Sequence, residues 1–180
     1  MALDHAILAF LGECTYSGYD LTKKLSSVGF FWTATHQQVY RELAKLEAQG
    51  WVKSEVLAQE NRPNKKLYSV TDLGRKELAE WIAQPSEPTS VREDLLVKIF
   101  AGYLVPKPVI IEELKRRRKI HLEKLSAYQD LERQDFGNIE NLALEKRFRY
   151  QALRRGIRYE ADWVEWCNEA IQVLTNMMSS

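Results

Sequence analysis

The sequence predicts a mainly α-helical chain in two parts, a small helix-and-hairpin domain followed by long helices. Three observations predict it. Apolar residues recur at three-and-four spacing over most of the chain. That period gives way to β-forming residues in one region, Trp51-Val-Lys-Ser-Glu-Val-Leu57 and the returning Lys66-Leu-Tyr-Ser-Val70. Between the parts, Pro85-Ser-Glu-Pro88 sets two prolines among small polar residues, where helices cannot continue. The boundaries expected from this are 1–84 for the first domain, 85–89 for a linker and 90–180 for the helical region.

In the first domain, Asp4 is placed to cap a helix carrying Ile7, Leu8 and Leu11. Ser17-Gly-Tyr-Asp20 fits a capping box for a second helix, continued by Leu21, Leu25 and Val28 and interrupted at Gly29-Phe-Phe-Trp32. Thr35-His-Gln-Gln38 is another such box, opening a third helix with Val39, Leu43 and Leu46 and a stop at Gly50. The two strands follow, joined by turn residues Glu60-Asn-Arg-Pro-Asn64. A fourth helix restarts at Thr71, with Leu73, Leu78, Trp81 and Ile82 expected to face inward. Three helices and then a two-stranded wing is the winged helix-turn-helix arrangement.

Beyond the prolines, Ser90-Val-Arg-Glu93 reads as a third capping box leading into Leu95, Leu96, Ile99 and Phe100. After Pro106 and Pro108 comes a long polar helix with Ile110, Leu114, Leu125 and Tyr128 on one stripe, ended by a turn at Gly137-Asn138. The last helix is expected from about Leu142 to Met178 and carries two apolar stripes. Phe148, Ala152, Tyr159, Trp163, Trp166, Ala170, Val173 and Met177 form one; Leu153, Ile157, Val164, Cys167, Ile171 and Leu174 form the other. Two adjacent stripes need more cover than a two-helix extension offers. A second copy of the chain is the economical solution, giving a homodimer held by Phe148, Tyr159, Trp163, Trp166, Ala170, Val173 and Met177.

Composition excludes several functions. A formal net charge of +1 means that any affinity for nucleic acid must come from local clustering of bases. Cys14 and Cys167 are too far apart for a disulfide framework or a zinc site, and read as small buried hydrophobes. His5, His36 and His121 are too scattered to hold a metal, and no cofactor is expected. No nucleophile-base constellation and no Gly-rich phosphate loop supports an enzyme. No apolar run approaches the roughly 20 residues of a membrane span, so a cytoplasmic protein with no membrane partner is expected.

The chemistry lies in the third helix and the wing. Thr35, His36, Gln37, Tyr40 and Arg41 occupy the first two turns, where a reading helix meets base edges and phosphates. Gln pairs with adenine, and Arg with guanine or phosphate, in a major groove. Arg62, Asn64, Lys65 and Lys66 cluster at and just after the wing tip, suited to straddle phosphates or enter a minor groove. The partner these imply is double-stranded DNA. Arg116-Arg-Arg-Lys119 is denser in charge, yet it points all round a helix flanked by Glu112, Glu113 and Glu123 and reads as a solvated, paired face. The competing interpretation is a winged-helix protein-interaction adaptor that never touches DNA.

Ser17-Gly-Tyr-Asp20, Gln38-Val-Tyr-Arg-Glu-Leu-Ala-Lys-Leu-Glu-Ala-Gln-Gly50 and Lys66-Leu-Tyr-Ser-Val-Thr-Asp-Leu-Gly74 resemble the PadR family of bacterial regulators. Arg92-Glu-Asp-Leu-Leu-Val-Lys-Ile-Phe100 is similar to the linker helix of its longer branch with a Vir-like C-terminal region. Arg41 stands where many short-tailed members carry proline, which also fits the longer branch. The resemblance implies a homodimeric repressor; with the helix-then-wing order and the doubly striped last helix, the expected target is a pseudo-palindromic operator with half-sites about one helical turn apart. The resemblance also implies release by a phenolic or other small aromatic effector in some members. Carried over by position, the third helix with Tyr40 and the hairpin Arg62 to Lys66 would face DNA, and Tyr68 would brace the wing.

Overall fold

A computed structural model describes residues 2–27, 32, 34–58, 64–90, 92–137 and 139–176, which fall into two compact units, 1–88 and 89–180. The first unit holds α1 (Ala2–Glu13), β1 (Tyr16–Ser17), α2 (Gly18–Ser27), α3 (His36–Ala48), β2 (Val52–Leu57), β3 (Lys65–Val70) and α4 (Asp72–Ile82). The second holds α5 (Asp94–Phe100), a 3₁₀ turn (Gly102–Leu104), α6 (Lys107–Asp135), a second 3₁₀ turn (Ile139–Asn141) and α7 (Leu144–Asn176). The fold is mainly helical, with a winged helix-turn-helix at its N-terminal end.

One core serves the first unit. Ile7, Leu8 and Leu11 of α1, Leu21 and Leu25 of α2, and Val39, Leu43 and Leu46 of α3 close on Val52, Tyr68 and Val70 of the sheet. The helical residues are those picked out by their spacing. Helix α1 starts at Ala2, however, so Asp4 lies inside its first turn and does not cap it. Its buried carboxylate instead accepts the His5 backbone N–H at 3.0 Å and lies 2.9 Å from His5 Nδ1.

The sheet is antiparallel in the order β1-β3-β2, with β2 and β3 in register from Val52↔Val70 to Leu57↔Lys65. Strand β1 is an addition to the expected hairpin. Tyr16 and Ser17 pair with Tyr68 and Leu67 before the chain turns into α2. Ser17 does both jobs, since its hydroxyl also accepts the Asp20 N–H at 3.1 Å and donates to the Asp20 carboxylate at 2.7 Å. Val28 and Gly29 to Phe31 lie outside the described residues.

Thr35 caps α3 in a complete capping box, and the helix stops where Gly50 takes the left-handed φ of 72°. Thr71 caps α4 by accepting the Gly74 N–H and donates its hydroxyl proton to the Gly50 carbonyl. Gly74 is buried, and a Cβ there would collide with the Trp51 carbonyl, so α4 starts tight against the strand. The Gly74–Leu78 line faces the core. Leu73, Trp81 and Ile82, expected inward, are exposed, because that contact leaves Leu73 and Trp81 on the flanks and Ile82 in the final residue. Trp81 still covers His5, stacked at 4.4 Å.

In the second unit α5 is capped by Glu93 and not by Ser90. The Glu93 carboxylate accepts the Leu95 N–H at 3.2 Å and is gripped by the Arg117 guanidinium, an anchor that Ser90 lacks. Pro108 sits in the first turn of α6, where its missing N–H costs nothing. Helices α6 and α7 form an antiparallel hairpin: Arg118 reaches Asn168, His121 meets Glu160, and Glu132 takes Tyr150 and Arg154. On α7 the seam runs through Tyr150, Leu153, Ile157, Glu160 and Cys167, which is the second expected stripe with Tyr150 and Glu160 added. Burial pushes the Cys167 thiol pKa up. Cys14, expected to be buried too, is exposed just past the end of α1.

Candidate nucleic-acid interface

Helix α3 divides cleanly. Val39, Leu43 and Leu46 point into the core while Thr35, His36, Gln37, Tyr40 and Arg41 are exposed on its opening turns. Thr35 and Gln38 are spent on the cap: the Gln38 N–H reaches the Thr35 hydroxyl at 3.3 Å and the Thr35 N–H reaches Gln38 Oε1 at 2.8 Å. That local satisfaction leaves Gln37 and Arg41, one turn apart, facing outward with their donors available. Arg41 has no ion pair among the described residues.

The start of α2 packs beside the start of α3. A Cβ on Gly18 would lie 2.6 Å from the Tyr40 ring, so only glycine lets that ring settle there. Tyr19, 61 % exposed, stacks on His36 with centroids 5.8 Å apart. The result is an exposed aromatic group of Tyr19, His36 and Tyr40. Tyr19 escaped the sequence reading, although its place inside the Ser17–Asp20 box at the start of the preceding helix was the available signal.

The wing is tethered to α2 and α3. Lys65 Nζ lies 2.8 Å from the Asp20 carboxylate at the start of α2. Lys66 Nζ lies 2.8 Å from the Glu47 carboxylate near the end of α3 and 5.1 Å from the Tyr68 ring centroid. Glu47 also accepts the Ser54 hydroxyl. Lys65 and then Ser17 hold the Asp20 carboxyl below its ordinary pKa; Lys66 and then Ser54 do the same for Glu47. The expected phosphate bases Lys65 and Lys66 are therefore already engaged with acids of the domain body. Asn64 is exposed just before β3, Lys53 lies 4.0 Å from Glu55, and Arg62 lies outside the described residues.

On α7, Phe148, Tyr159 and Val173 are exposed, and Trp163, Trp166 and Ala170 are half-buried against the α5–α6 cluster. Met177 lies outside the described residues. Trp163 stacks flat on His121 at 4.9 Å and meets Trp166 edge-on at 5.3 Å. Of the dense basic run, Arg116 binds the flanking Glu113 as expected, whereas the half-buried Arg117 and Arg118 bind Glu93 and Asn168 of other elements and do not form the solvated face expected of them. Among the described residues no group of three His, Cys, Asp or Glu could hold a metal, and no helix is long and apolar enough to cross a membrane.

A helix-turn-helix with an exposed polar reading edge and a paired wing, in a chain that also carries a long helical hairpin, defines a winged-helix protein of the DNA-binding class. Residues 7–80 match the transcriptional regulator PadR-like family and residues 91–175 match the virulence activator alpha C-terminal family. The chain is 36 % identical to the probable transcriptional regulator Rv1176c of Mycobacterium tuberculosis, covering 97 % of this chain and 98 % of that one. The negative transcriptional regulator PadR of Bacillus subtilis is 26 % identical, over 96 % and 97 % of the two chains. The crystal structure of that PadR with operator DNA superimposes with a TM-score of 0.82, over 96 % of this chain and 97 % of that one. Its complex with p-coumaric acid gives 0.75 at 25 % identity, over 97 % and 99 %. The Vibrio cholerae virulence activator AphA is 32 % identical with a TM-score of 0.74, over 97 % and 99 %. This chain belongs to the PadR-like family and is a transcriptional regulator, not an enzyme.

Proposed function

We propose that the chain is a cytoplasmic homodimeric repressor that reads a pseudo-palindromic operator, presenting one α3 to each half-site. Residues 1–84 bind DNA, 85–89 link, and 90–180 dimerise. The observation that carries this is the start of α3, where the capping box consumes Thr35 and Gln38 and leaves Gln37, Tyr40 and Arg41 exposed, with Tyr19 stacked on His36. Gln37 and Arg41 supply groups for base edges, His36 and the helix N-terminus supply donors for phosphate, and Asn64, Lys65, Lys66 and Arg62 are the wing's candidates for the adjacent phosphates. B. subtilis PadR, named a negative regulator and crystallised on operator DNA, supports repression as the output. Its complex with p-coumaric acid supports a small aromatic effector that releases the DNA.

Dimerisation rests on α7. Its seam residues are covered by α6, while Phe148, Tyr159 and Val173 of the neighbouring stripe stay open. A partner's α7 stripe is the self-complementary cover that two-fold symmetry provides.

Footprinting on the DNA upstream of the chain's own gene tests the proposal. A protected pair of half-sites about one helical turn apart, in a salt-sensitive complex, is the expected result. Equal binding to operator and scrambled duplex at physiological salt would refute it and favour the adaptor interpretation.

A further inference from the structure

The wing of a DNA-binding winged helix is expected to offer its cations to phosphate, yet both lysines of the returning strand β3 are held by carboxylates of the domain body. Lys65 is held by Asp20 and Lys66 by Glu47, each at 2.8 Å. The acids come from two different elements of the domain body, the first turn of α2 and the end of α3. They are not the hairpin's own cross-strand neighbours. Each acid is further fixed by a serine hydroxyl, Ser17 for Asp20 and Ser54 for Glu47, so its oxygens are aimed at the lysines. All four charged side chains are between one-third and one-half exposed. Ion pairs that exposed add little to folding stability. A stabilising role is a weak account of two such pairs, placed on the only two described bases of the returning strand.

We propose that Asp20 and Glu47 are specificity-determining residues: they occupy the wing lysines so that duplex DNA of any sequence gains little from them. The inference rests on the DNA-reading role argued above. Binding without sequence preference is driven by lysines and arginines that replace the counterions on phosphates. A lysine already neutralised by a protein carboxylate contributes less to that term, because a phosphate oxygen must displace the carboxylate first. Contacts from Gln37 and Arg41 to base edges carry no such handicap, as Arg41 forms no ion pair among the described residues. The acids thus lower affinity for random DNA more than affinity for the operator, and discrimination widens.

The test is a fluorescence-anisotropy titration of full-length wild type, Asp20→Asn and Glu47→Gln across a range of salt concentrations. The probes are the footprinted upstream duplex and a scrambled duplex of equal length. Asn and Gln keep acceptors for the Ser17 and Ser54 hydroxyls, so the local hydrogen bonds survive. The expected result is severalfold tighter binding to the scrambled duplex. The slope of log K against log salt should steepen by about one per freed lysine, and the operator preference should narrow. In a Lys66→Met background the gain from Glu47→Gln should vanish. Weaker binding, an unchanged slope, or a gain that persists without Lys66 would overturn the inference and make the pairs struts that hold the wing. A wild type with no operator preference defeats the DNA-reading role itself; a wild type with preference, whose variants gain nothing, defeats this inference alone.

Discussion

In the N-terminal unit, Ile7, Leu8, Leu21, Leu25, Val39, Leu43 and Leu46 are all fully buried around one centre. In the C-terminal unit the long helix α7 buries one line of residues against α6 and the next only in part, leaving Phe148, Tyr159 and Val173 open, and the α5 end exposes Phe100 (87 %) and Tyr103 (84 %). Both units have amphipathic helices, so the difference is one of architecture. Four helices and a sheet enclose a centre from every side, whereas a two-helix hairpin has a single seam and cannot cover two stripes. The closed unit is built to hold a polar edge steady. The open one leaves apolar side chains in water, the surface on which the proposed dimer rests.

The largest expected effect tests the closed core. Leu43→Ala should cost about 2–5 kcal/mol in denaturant unfolding, since the side chain is wholly buried. If the units differ as described, the C-terminal hairpin should keep its helical signal and its association after the first unit has melted. Next comes the open stripe. Tyr159→Glu replaces an exposed ring, so the monomer should fold normally while the dimer weakens by about 2 kcal/mol or more; sedimentation equilibrium at unchanged molecular weight would break the comparison. Arg41→Ala should weaken operator binding by about 1–3 kcal/mol with little change in thermal stability, a split readable by titration beside a melting curve. Thr35→Ala removes the cap and should cost about 1 kcal/mol of stability.

The smallest effect is a pH dependence. Burial alone would raise the Asp4 carboxyl, but the His5 backbone N–H and the nearby His5 ring, N-terminus and Lys45 outweigh it and hold the pKa low. A carboxyl held low in the fold stabilises above its unfolded pKa, near pH 4. That stability is lost as the pH falls through the lower, folded value. Melting temperature should therefore drop on acidification below about pH 4, and less steeply in Asp4→Asn. Asp20 and Glu47 titrate in the same direction, with a smaller influence because they are more exposed.

How much was legible follows from the range of each interaction. The capping box of Thr35 and Gln38, the stop at Gly50 and the two stripes of α7 are settled within one or two helical turns, and the sequence displays them. The α4 face was misjudged because its orientation depends on Gly74 meeting the Trp51 carbonyl, a contact that periodicity does not encode. The cap of α5 went to Glu93 for a similar reason: Arg117, 24 residues away, holds it in place. Tyr19 joined the reading edge only through its stack on His36.

The sequence by itself determined the order of elements, the polar start of α3 and the surplus of apolar surface on α7, because propensity, capping and periodicity are local. Only the tertiary structure decided that Lys65 and Lys66 meet Asp20 and Glu47. It also decided that His121 and Glu160 share a buried site in the α6–α7 seam. Those pairings join residues 19 to 45 positions apart. Charge attraction acts through space with no memory of the chain between, so a lysine that looks free in the sequence can be spoken for once the helices pack.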